Sequence, residues 1–376
     1  MQLLRNLRVY LYIFLDLLSR FIPSFSKVRY DLIIVRVDAL GDYVIWHDAL
    51  SAYKEKFKGR KVLLVCADLL SELVEQEDFF SEFFFFNTTK LLKSPWRYWK
   101  TLRQLKSMKA DLVLYPCWER HLRGDIFSSQ ISSQKKVSMV SRGLKHCYSW
   151  IYNRTYNRLL EYKETPSEIR AVEYFTQKVI NPNYIYGLNP IKPSVTPIGS
   201  LSNPYVVIAF SAAIKERSWE LEKFSAVIDS IPQKYGIVLT GTGDLDCINA
   251  TRILESVHNR DRVVNMVNKL TICELVNIIG GASFLIGNDS APVHIAAATH
   301  VRSLCICPGG HYGRFLPYPE DMPNAVYNPI VVANMMFCFG CGHNCIHKEI
   351  NPFLCLKEIT AQRVISEVQL CLSNNC

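Results

Sequence analysis

The stretch FLIGNDSAPVHIAAA, residues 284–298, decides the fold of this 376-residue chain. Its first part, Phe284 to Ile286, is an apolar run that predicts a buried strand, and Ala291 to Ala298 predicts a helix directly after it. Pro292 falls at an early helical position, where its missing N–H removes no hydrogen bond. A buried strand that turns at once into a helix is the building unit of parallel α/β sheets.

The same turn predicts an anion site. We expect the main-chain amides of Ser290, Ala291 and Val293 to be exposed at the start of the helix, where the helix dipole favours negative charge. A pyrophosphate would bind there, and His294, one turn further on, would reach a phosphate or a sugar hydroxyl. The alternative interpretation is a helix cap followed by a core histidine.

Strands and helices alternate on both sides of this turn. Apolar runs predict strands at 31–37, 61–66, 83–86, 112–115, 205–210, 237–240, 284–286 and 303–306. Helical spacing predicts helices at 42–56, 96–108, 220–230, 244–257, 272–279, 291–298 and 360–372, and the last is expected to return to the first half. Between 118 and 146 the pattern weakens and basic residues collect. The predicted fold class is therefore α/β, with parallel sheets covered by helices.

Composition limits the function. Apolar residues make up 49% of the chain, which excludes disorder, and the net charge of +9 favours an anionic partner such as a nucleotide diphosphate, a phosphorylated glycan or an acidic membrane. No recognition helix or single-strand-binding pattern occurs, so we expect no nucleic-acid partner. Several of the thirteen cysteines lie in apolar runs, which is typical of buried thiols in a reducing cytosol.

Prolines mark a boundary between two halves. Five of them occur between 182 and 204, a density that forbids a long helix and predicts a linker. The predicted segments are an N-terminal Rossmann-like acceptor domain (29–185), a Pro-rich linker (186–204), a C-terminal Rossmann-like donor domain (205–335), a Cys-rich knuckle (336–358) and a C-terminal helix (359–376). Two such halves place a ligand cleft at their interface.

Residues 1–28 precede the first strand and predict an amphipathic helix. The apolar positions at helical spacing are Leu4, Leu7, Leu11, Phe14, Leu15, Leu18 and Ile22, and those opposite are Arg5, Arg8, Asp16 and Ser19. The apolar run is too short to span a bilayer, and no small-residue cleavage site follows it. Either residues 1–22 lie in a membrane interface, or the apolar stripe packs on the domain behind it.

A second motif, Arg36 to Asp42, runs from strand to loop to helix. Gly41 permits close approach of the backbone to a ligand, and Asp42 lies where the helix begins. Asp42 is either a helix-capping residue or, at the carboxyl end of a strand, a general base that faces the cleft.

Two further loops follow strands of the second half. In the segment 210–219, small residues such as Ser211 allow a ligand to approach, and Lys215 and Arg217 would neutralise a leaving diphosphate. Thr240 and Gly241 begin a turn that resembles a nucleotide-contacting loop. The alternatives are a solvated basic loop and an ordinary glycine turn.

These segments, in this order, resemble glycosyltransferase family 9, the heptosyltransferase family of lipopolysaccharide synthesis, over residues 31–372. The resemblance implies a GT-B fold, with two Rossmann-like domains facing each other across a cleft. It implies that Asp42 is the general base and that Gly41, Arg120 and Arg123 lie on the acceptor side. The donor-binding residues that it implies are Ser211, Lys215, Arg217, Thr240, Gly241, Asp289, Ser290, Ala291 and His294.

Because the sequence departs from the family pattern at three places, the identity of the donor is not determined by the resemblance. Ala291 stands where the family usually has glycine, and Arg217 replaces the more usual lysine. The loop from Pro308 to Gly313 lacks the usual threonine.

The implied reaction is an inverting transfer of a sugar, heptose from ADP-heptose, to a lipopolysaccharide core or a related cell-envelope glycan. The implied partners are a nucleotide-sugar donor and a lipid-linked acidic glycan acceptor, which would place the enzyme in the cytoplasm, peripherally on the inner face of the cytoplasmic membrane. No Asp-x-Asp metal motif occurs in a suitable loop, so we expect no cofactor for catalysis.

Two other functions are candidates, a dehydrogenase and a binding protein that has lost catalysis. A dehydrogenase requires Gly-x-Gly-x-x-Gly at the first turn, which the residues from Asp38 to Asp42 lack. A catalytically altered glycan- or nucleotide-binding protein that retains the fold would account for Ala291 and the altered glycine loop.

A cysteine cluster occupies the segment after the predicted donor domain. Cys338, Cys341, Cys345 and Cys355 span eighteen residues and have the spacing of a tetrahedral zinc site, with His343 and His347 as substitute ligands. Structural zinc, free thiols and local disulfides are the alternatives.

Overall fold

The computed structural model describes residues 2–23, 28–141, 146–191, 204–347 and 349–373. The side chains of residues 2–8, and with them Leu4, Arg5, Leu7 and Arg8, lie outside the described part, as does most of the predicted linker, 192–203. The chain divides into two compact units. The first consists of Met1–Tyr43, Ala49–Glu164 and Arg170–Tyr184, and the second of Val44–Asp48, Thr165–Ile169 and Ile185–Cys376.

The first sheet has six parallel strands in the order β3-β2-β1-β4-β5-β6. They are β1 (Val28–Arg36), β2 (Val62–Ala67), β3 (Glu82–Phe86), β4 (Met108–Tyr115), β5 (Lys136–Met139) and β6 (Arg158–Leu160). The central strand β1 is flanked by β2 and β4, so that Ile33 lies opposite Leu63 and Val113. These three residues are fully buried because helices cover both faces of the sheet.

Nine helices occur in the described residues before the second sheet. They are α1 (Gln2–Phe21), α2 (Leu40–His47), α3 (Leu50–Lys56), α4 (Ser71–Val74), α5 (Thr88–Lys93), α6 (Pro95–Lys106), α7 (Leu122–Gln130), α8 (His146–Asn153) and α9 (Glu168–Val179). Asn87 and Ser94 cap α5 and α6, since their side chains accept hydrogen bonds from the amides of Lys90 and Arg97. No helix in the part of the chain that is described has the length and apolar character needed to cross a membrane.

The second sheet repeats this architecture, with the order β12-β11-β10-β7-β8-β9. Its strands are β7 (Tyr205–Ala209), β8 (Gly236–Thr240), β9 (Val263–Asn265), β10 (Phe284–Asn288), β11 (Ser303–Ile306) and β12 (Ile330–Val332). Its helices are α10 (Leu221–Ser230), α11 (Asp244–Ser256), α12 (Ile272–Gly280), α13 (Ala291–Ala298), α14 (Leu354–Lys357) and α15 (Ala361–Ser373). In both sheets the first strand in chain order pairs with the second and the fourth, which is the Rossmann order.

The predicted α/β class and all eight predicted strands are confirmed. The single helix predicted at 42–56 is wrong, because it is interrupted between His47 and Leu50. The weakly patterned region after Trp118 contains α7 and β5.

The prediction that the C-terminal helix returns to the first half is also wrong. In α15, Val364, Val368 and Leu372 belong to the hydrophobic core of the second unit, and the helix packs against α10.

Candidate functional site

In a sheet of the Rossmann order, ligands bind outside the carboxyl ends of the strands, where the strand order reverses. In the second sheet this point lies between β7 and β10. The segment 210–219 follows β7, and the turn from Asp289 to α13 follows β10. The fold therefore brings together the two segments that sequence analysis assigned to the donor phosphates.

Asn288 joins these two segments. Its side-chain Oδ1 accepts a hydrogen bond from the amide of Trp219 at 3.0 Å, and its Nδ2 donates to the carbonyl of Phe210 at 2.6 Å. Asn288 is fully buried at the end of an apolar strand. Sequence analysis did not select this residue, although a polar amide that ends a buried strand is a signal for such a role.

Arg217 contacts the same turn through Asp289. Its Nη2 donates to the main-chain oxygen of Asp289 at 2.8 Å and to Oδ2 at 3.0 Å. Arg217 ends the short 3-10 turn Lys215–Arg217, in which Lys215 is exposed to solvent. The ion pair fixes the guanidinium beside the start of α13, while Lys215 stays free to move.

The start of α13 offers fewer free amides than predicted. Ser290 is extended at the N-cap position, and the amide of Val293 donates to its carbonyl at 3.1 Å. The prediction that the Val293 amide is available to a ligand is therefore wrong. The amides of Ser290 and Ala291 donate to no acceptor among the described residues, so they remain for an anion.

His294 points into the interior. It is 5% exposed, its Nδ1 lies 2.8 Å from the hydroxyl of Tyr318, and the two rings stack. Burial raises the pKa of Tyr318, and the charge of Asp289 adds to the rise. These contacts favour the core-histidine interpretation, and contact of His294 with the donor stays a prediction.

The turn after β8 is held by its own side chains. Asp246 accepts a hydrogen bond from the amide of Thr242 at 2.8 Å. A Cβ at Gly241 would lie 2.8 Å from the same carboxylate, so glycine is required there for packing. Thr240 is buried, and its hydroxyl has no hydrogen-bond partner among the described residues. A nucleotide contact at Thr240 and Gly241 stays a prediction.

The corresponding point of the first sheet, between β1 and β4, holds an acidic loop. Arg36 at the end of β1 donates to the carbonyl of Pro116 after β4 and, at 2.9 Å, to the carbonyl of Asp42, and it forms an ion pair with Asp38. Asp42 is the third residue of α2, because the amide of Tyr43 bonds to the carbonyl of Ala39. The helix-capping interpretation of Asp42 is therefore wrong.

The charge of Asp42 acts on the neighbouring Asp38. Burial raises the pKa of Asp38, the charge of Arg36 opposes this, and the charge of Asp42 adds to the rise. The Asp42 carboxylate has no hydrogen-bond partner among the described residues, and Asp42 and Gly41 are half-buried. The first unit thus presents a carboxylate that no local contact neutralises.

The two predicted acceptor arginines are packed into the first unit. Arg120 is buried, pairs with Asp125 at 3.6 Å and bonds to Asn153. Arg123 donates to the Thr88 hydroxyl at 2.8 Å. Arg120 is therefore not a solvated surface cation, and the acceptor-binding roles of Arg120 and Arg123 stay predictions.

The cysteine-rich segment packs against the predicted donor site of the second unit. Gly340 and Gly342 donate through their amides to the carbonyls of Gly309 and Gly310, at 2.8 and 2.9 Å, and the amide of Phe353 donates to Glu216 at 3.0 Å. Burial lowers the pKa of His343 to about 4; Arg217 and His311 act in the same direction, and Asp289 opposes them. The segment therefore lies close to the Arg217–Asp289 pair.

The four cysteines of this segment line one pocket together with His343 and His347. All four are free thiols, and no disulfide joins them in the structure. Both ring nitrogens of His343 and Nε2 of His347 are buried without hydrogen-bond partners. Within the described ranges, no three His, Cys, Asp or Glu side chains converge closely enough to hold a metal ion.

Comparison with known proteins identifies the family. The model of glycosyltransferase family 9 (heptosyltransferase) matches residues 99–322, which is more than half of the chain and includes both segments of the donor site. The chain belongs to this family. The resemblance inferred from the order of segments over residues 31–372 is therefore confirmed, and with it the prediction of a glycosyltransferase of family 9.

Curated relatives of this family-9 chain carry related names. Lipopolysaccharide heptosyltransferase 3 of Escherichia coli is 38% identical over 119 residues, which are 31% of this chain and 35% of that protein. Lipooligosaccharide heptosyltransferase 2 of Campylobacter jejuni (strain 81116) is 21% identical over 337 residues, 88% of this chain and 95% of that protein. The first match thus spans about a third of the length of its relative.

Solved structures show the same fold. A family-9 glycosyltransferase from Veillonella parvula superposes with a TM-score of 0.69 at 16% identity, covering 94% of this chain and 99% of that one. The E. coli heptosyltransferase WaaC with ADP-2-deoxy-2-fluoro heptose gives 0.63 at 14% identity, covering 91% and 99%. The predicted GT-B class of fold is confirmed.

Proposed function

We propose that this protein transfers a sugar from a nucleotide-activated donor to a lipopolysaccharide core or a related cell-envelope glycan, with inversion at the anomeric carbon. The observation that carries the proposal is the turn from β10 to α13. There, two unpaired amides, of Ser290 and Ala291, lie beside the guanidinium of Arg217, which Asp289 holds. Amides, a helix dipole and a cation together are a site for a diphosphate.

The donor that we propose is ADP-heptose. The names of the curated relatives support heptose, and the WaaC structure was obtained with an ADP-heptose analogue. We also propose donor contacts at Ser211, Thr240, Gly241 and His294; His294 bonds to Tyr318 as well, and Asp246 accepts a hydrogen bond from Thr242 in the turn after β8.

In the proposed reaction, Asp42 removes the proton of an acceptor hydroxyl. The resulting oxygen attacks the anomeric carbon from the face opposite the nucleotide, the bond to the diphosphate breaks, and the configuration inverts. The leaving diphosphate is stabilised by the amides at the start of α13 and by Arg217 and Lys215. Support for Asp42 as the base comes from its position in the first turn of α2 and from its carboxylate, which accepts no hydrogen bond from any described residue.

The experiment that tests this function separates binding from transfer. Thermal-shift measurements with ADP-, GDP- and UDP-sugars identify the donor, since a ligand of the native state raises its stability. With that donor and a truncated lipopolysaccharide acceptor, Asp42→Asn should abolish transfer and leave the affinity for ADP unchanged. Asp78→Asn is the matched control, because Asp78 is a highly exposed carboxylate of the same unit. If wild type and Asp42→Asn both bind nucleotide and neither transfers sugar, the protein is a binding protein that retains the fold.

We further propose a structural zinc ion at Cys338, Cys341, Cys345 and Cys355. The donor chemistry fits, because thiolates and imidazoles are the ligands that zinc prefers, and unpartnered nitrogens of His343 and His347 line the same pocket. The side chains would have to rotate inward to reach one ion. Metal analysis of purified protein should find about one equivalent of zinc per chain. Cys338→Ser should lose the metal and Cys247→Ser should keep it; a metal-free wild type contradicts the proposal.

We also propose that the protein works at the cytoplasmic face of the cytoplasmic membrane, where a lipid-linked acceptor would be presented. Residues 1–22 are the candidate contact.

A further inference from the structure

The face of α1 that packs on the first unit contains polar as well as apolar residues. Asp16 is fully buried, and its carboxylate accepts hydrogen bonds from Gln130 Nε2 at 2.7 Å, from the Ser129 hydroxyl at 2.8 Å and from the Tyr152 hydroxyl at 2.9 Å. Ser19, also fully buried, donates to Gln130 Oε1 at 2.9 Å, and Tyr12 and Ile13 are buried on the same face. Polar residues that face water in an ordinary amphipathic helix are therefore part of the docked face.

The apolar side of α1 is consequently left outside. Tyr10, Phe14 and Phe21 are 56%, 59% and 84% exposed, and Leu11 and Leu18 are exposed beside them. At about 100° per residue these five positions fall on one side of the helix, opposite Asp16. Among the described side chains of α1, from Val9 onward, this exposed face carries no charge. A helix that buries an aspartate and leaves these five large side chains exposed on one side needs an apolar environment there.

A basic border adjoins this apolar stripe. Residues 88–106, which form α5 and α6, contain six basic residues and no acidic one. The Arg103 guanidinium donates to the carbonyls of Ile22 and Pro23 at 3.0 and 2.7 Å, which ties α6 to the end of α1. Trp96 lies two turns before Arg103 on the same side of α6 and is 73% exposed. Lys100, between them, is exposed as well.

We propose that this surface, defined by Tyr10, Leu11, Phe14, Leu18, Phe21 and Trp96 with Arg97, Lys100 and Arg103 at its border, docks on a bilayer of anionic lipids. The apolar side chains enter the boundary between headgroups and acyl chains, and the cations meet the lipid phosphates. A second copy of the chain fits less well, because two such surfaces would bring the basic borders together. The inference deepens the proposed membrane location and rests on it.

Vesicle co-sedimentation of the full chain tests the surface. Wild type should bind vesicles of 3:1 phosphatidylcholine and phosphatidylglycerol, and it should bind vesicles of pure phosphatidylcholine at least tenfold more weakly. Its affinity for the anionic vesicles should fall as the salt concentration is raised. The double variant Phe14→Asp, Phe21→Asp should lower the partition constant at least tenfold, and Arg97→Gln with Lys100→Gln about tenfold on anionic vesicles only. Leu245→Asp is the control, since Leu245 is a similarly exposed apolar residue of the second unit.

Three results would overturn the proposal. One is equal binding by wild type and by the Phe14, Phe21 double variant when both have the same melting temperature. The second is no binding of wild type to anionic vesicles. The third is a wild type that light scattering shows to be a dimer, together with a double variant that is a monomer. A second copy of the chain would then cover the apolar stripe. None of these assays contains the sugar donor or the acceptor. If the membrane-docking proposal fails in them, the proposed transfer reaction is therefore not contradicted.

Discussion

One atom of Arg217, Nη2, donates to both the main-chain oxygen and the Oδ2 of Asp289, at 2.8 and 3.0 Å. Because the Asp289 side chain is nearly buried and Arg217 is partly exposed, the pair has one end inside the unit and one end open to a ligand. In the proposed donor site, Asp289 would therefore act on the diphosphate through Arg217, as a positioning residue. An acidic side chain in a phosphate site is explained by this arrangement.

The first prediction concerns the affinity for ADP. Arg217→Ala should raise the dissociation constant for ADP about 10- to 100-fold, because a charge-assisted hydrogen bond to phosphate is lost. Arg217→Lys should lie between wild type and alanine, since lysine keeps the charge without the planar fork. Isothermal titration calorimetry measures both. Arg252→Ala, an exposed arginine of α11, is the control and should bind as wild type does. Equal affinities for Arg217→Ala and Arg252→Ala would remove Arg217 from the site.

The second prediction concerns Asn288, which bonds to both Phe210 and Trp219. Asn288→Ala leaves a buried amide and a buried carbonyl without partners, so the free energy of unfolding should fall by about 2–4 kcal/mol. The affinity for ADP should fall as well, because the loop that carries Arg217 loses its attachment to β10. Urea unfolding and calorimetry give the two values. Asn259→Ala, an exposed asparagine of the same unit, should change stability by less than about 0.5 kcal/mol. A similarly small effect at Asn288 would mean that the loop is held by other contacts.

The sequence alone predicts where the strand–turn–helix elements lie. It does not predict which residues of other elements their side chains contact. Apolar runs predicted eight strands, including the four-residue β11, whereas the missed strands β5, β6, β9 and β12 have three or four residues each, too few for a periodic signal. Local pattern placed Asp289 and Arg217 at one end of the sheet, but their ion pair spans 72 positions and no local pattern encodes it.

Helix α1 shows a second limit of the sequence. Its periodicity predicted correctly which residues share a face, yet not that polar residues would be part of the docked face. That outcome depends on Gln130 and Tyr152, which lie more than 110 positions away and supply the partners of Asp16. Arg120 is similar, since Asp125 and Asn153 convert an apparent surface cation into a buried structural residue.

The third prediction concerns the contact between the glycine loop and the cysteine-rich segment. A Cβ at Gly310 would overlap the imidazole of His343, a ring held between His311 and Phe353. Gly310→Ala should therefore destabilise the second unit by about 1–3 kcal/mol through overpacking. Alkylation of Cys338, Cys341 and Cys345, followed by mass spectrometry, should also become faster.

Gly187→Ala is the matched control for this variant. Its Cβ would make an ordinary contact of 3.6 Å with Pro323, so we expect neither effect. If Gly310→Ala has the same free energy of unfolding and the same rates of cysteine alkylation as wild type, the cysteine-rich segment is not packed against the glycine loop in solution.

The last prediction concerns the pH dependence of stability that Asp125 confers. Burial raises the pKa of Asp125 to about 6, against the opposing effects of Arg120 and the Tyr156 hydroxyl. The folded state therefore holds the proton more tightly than the unfolded chain, in which an aspartate titrates near 3.9. This contribution is fully present below about pH 4 and is lost as the pH rises through about 6.

Asp125→Asn removes this titration, and the exchange of a neutral carboxyl group for an amide adds a change that does not depend on pH in this range. The stability of the variant relative to wild type should then rise by about 2 kcal/mol between pH 4.5 and pH 7.5. Urea unfolding at the two pH values measures the difference, with Asp78→Asn as the exposed control that should show almost none. A relative stability that is flat or falls with pH would show that Asp125 is ionised at both pH values, with Arg120 and Tyr156 outweighing its burial.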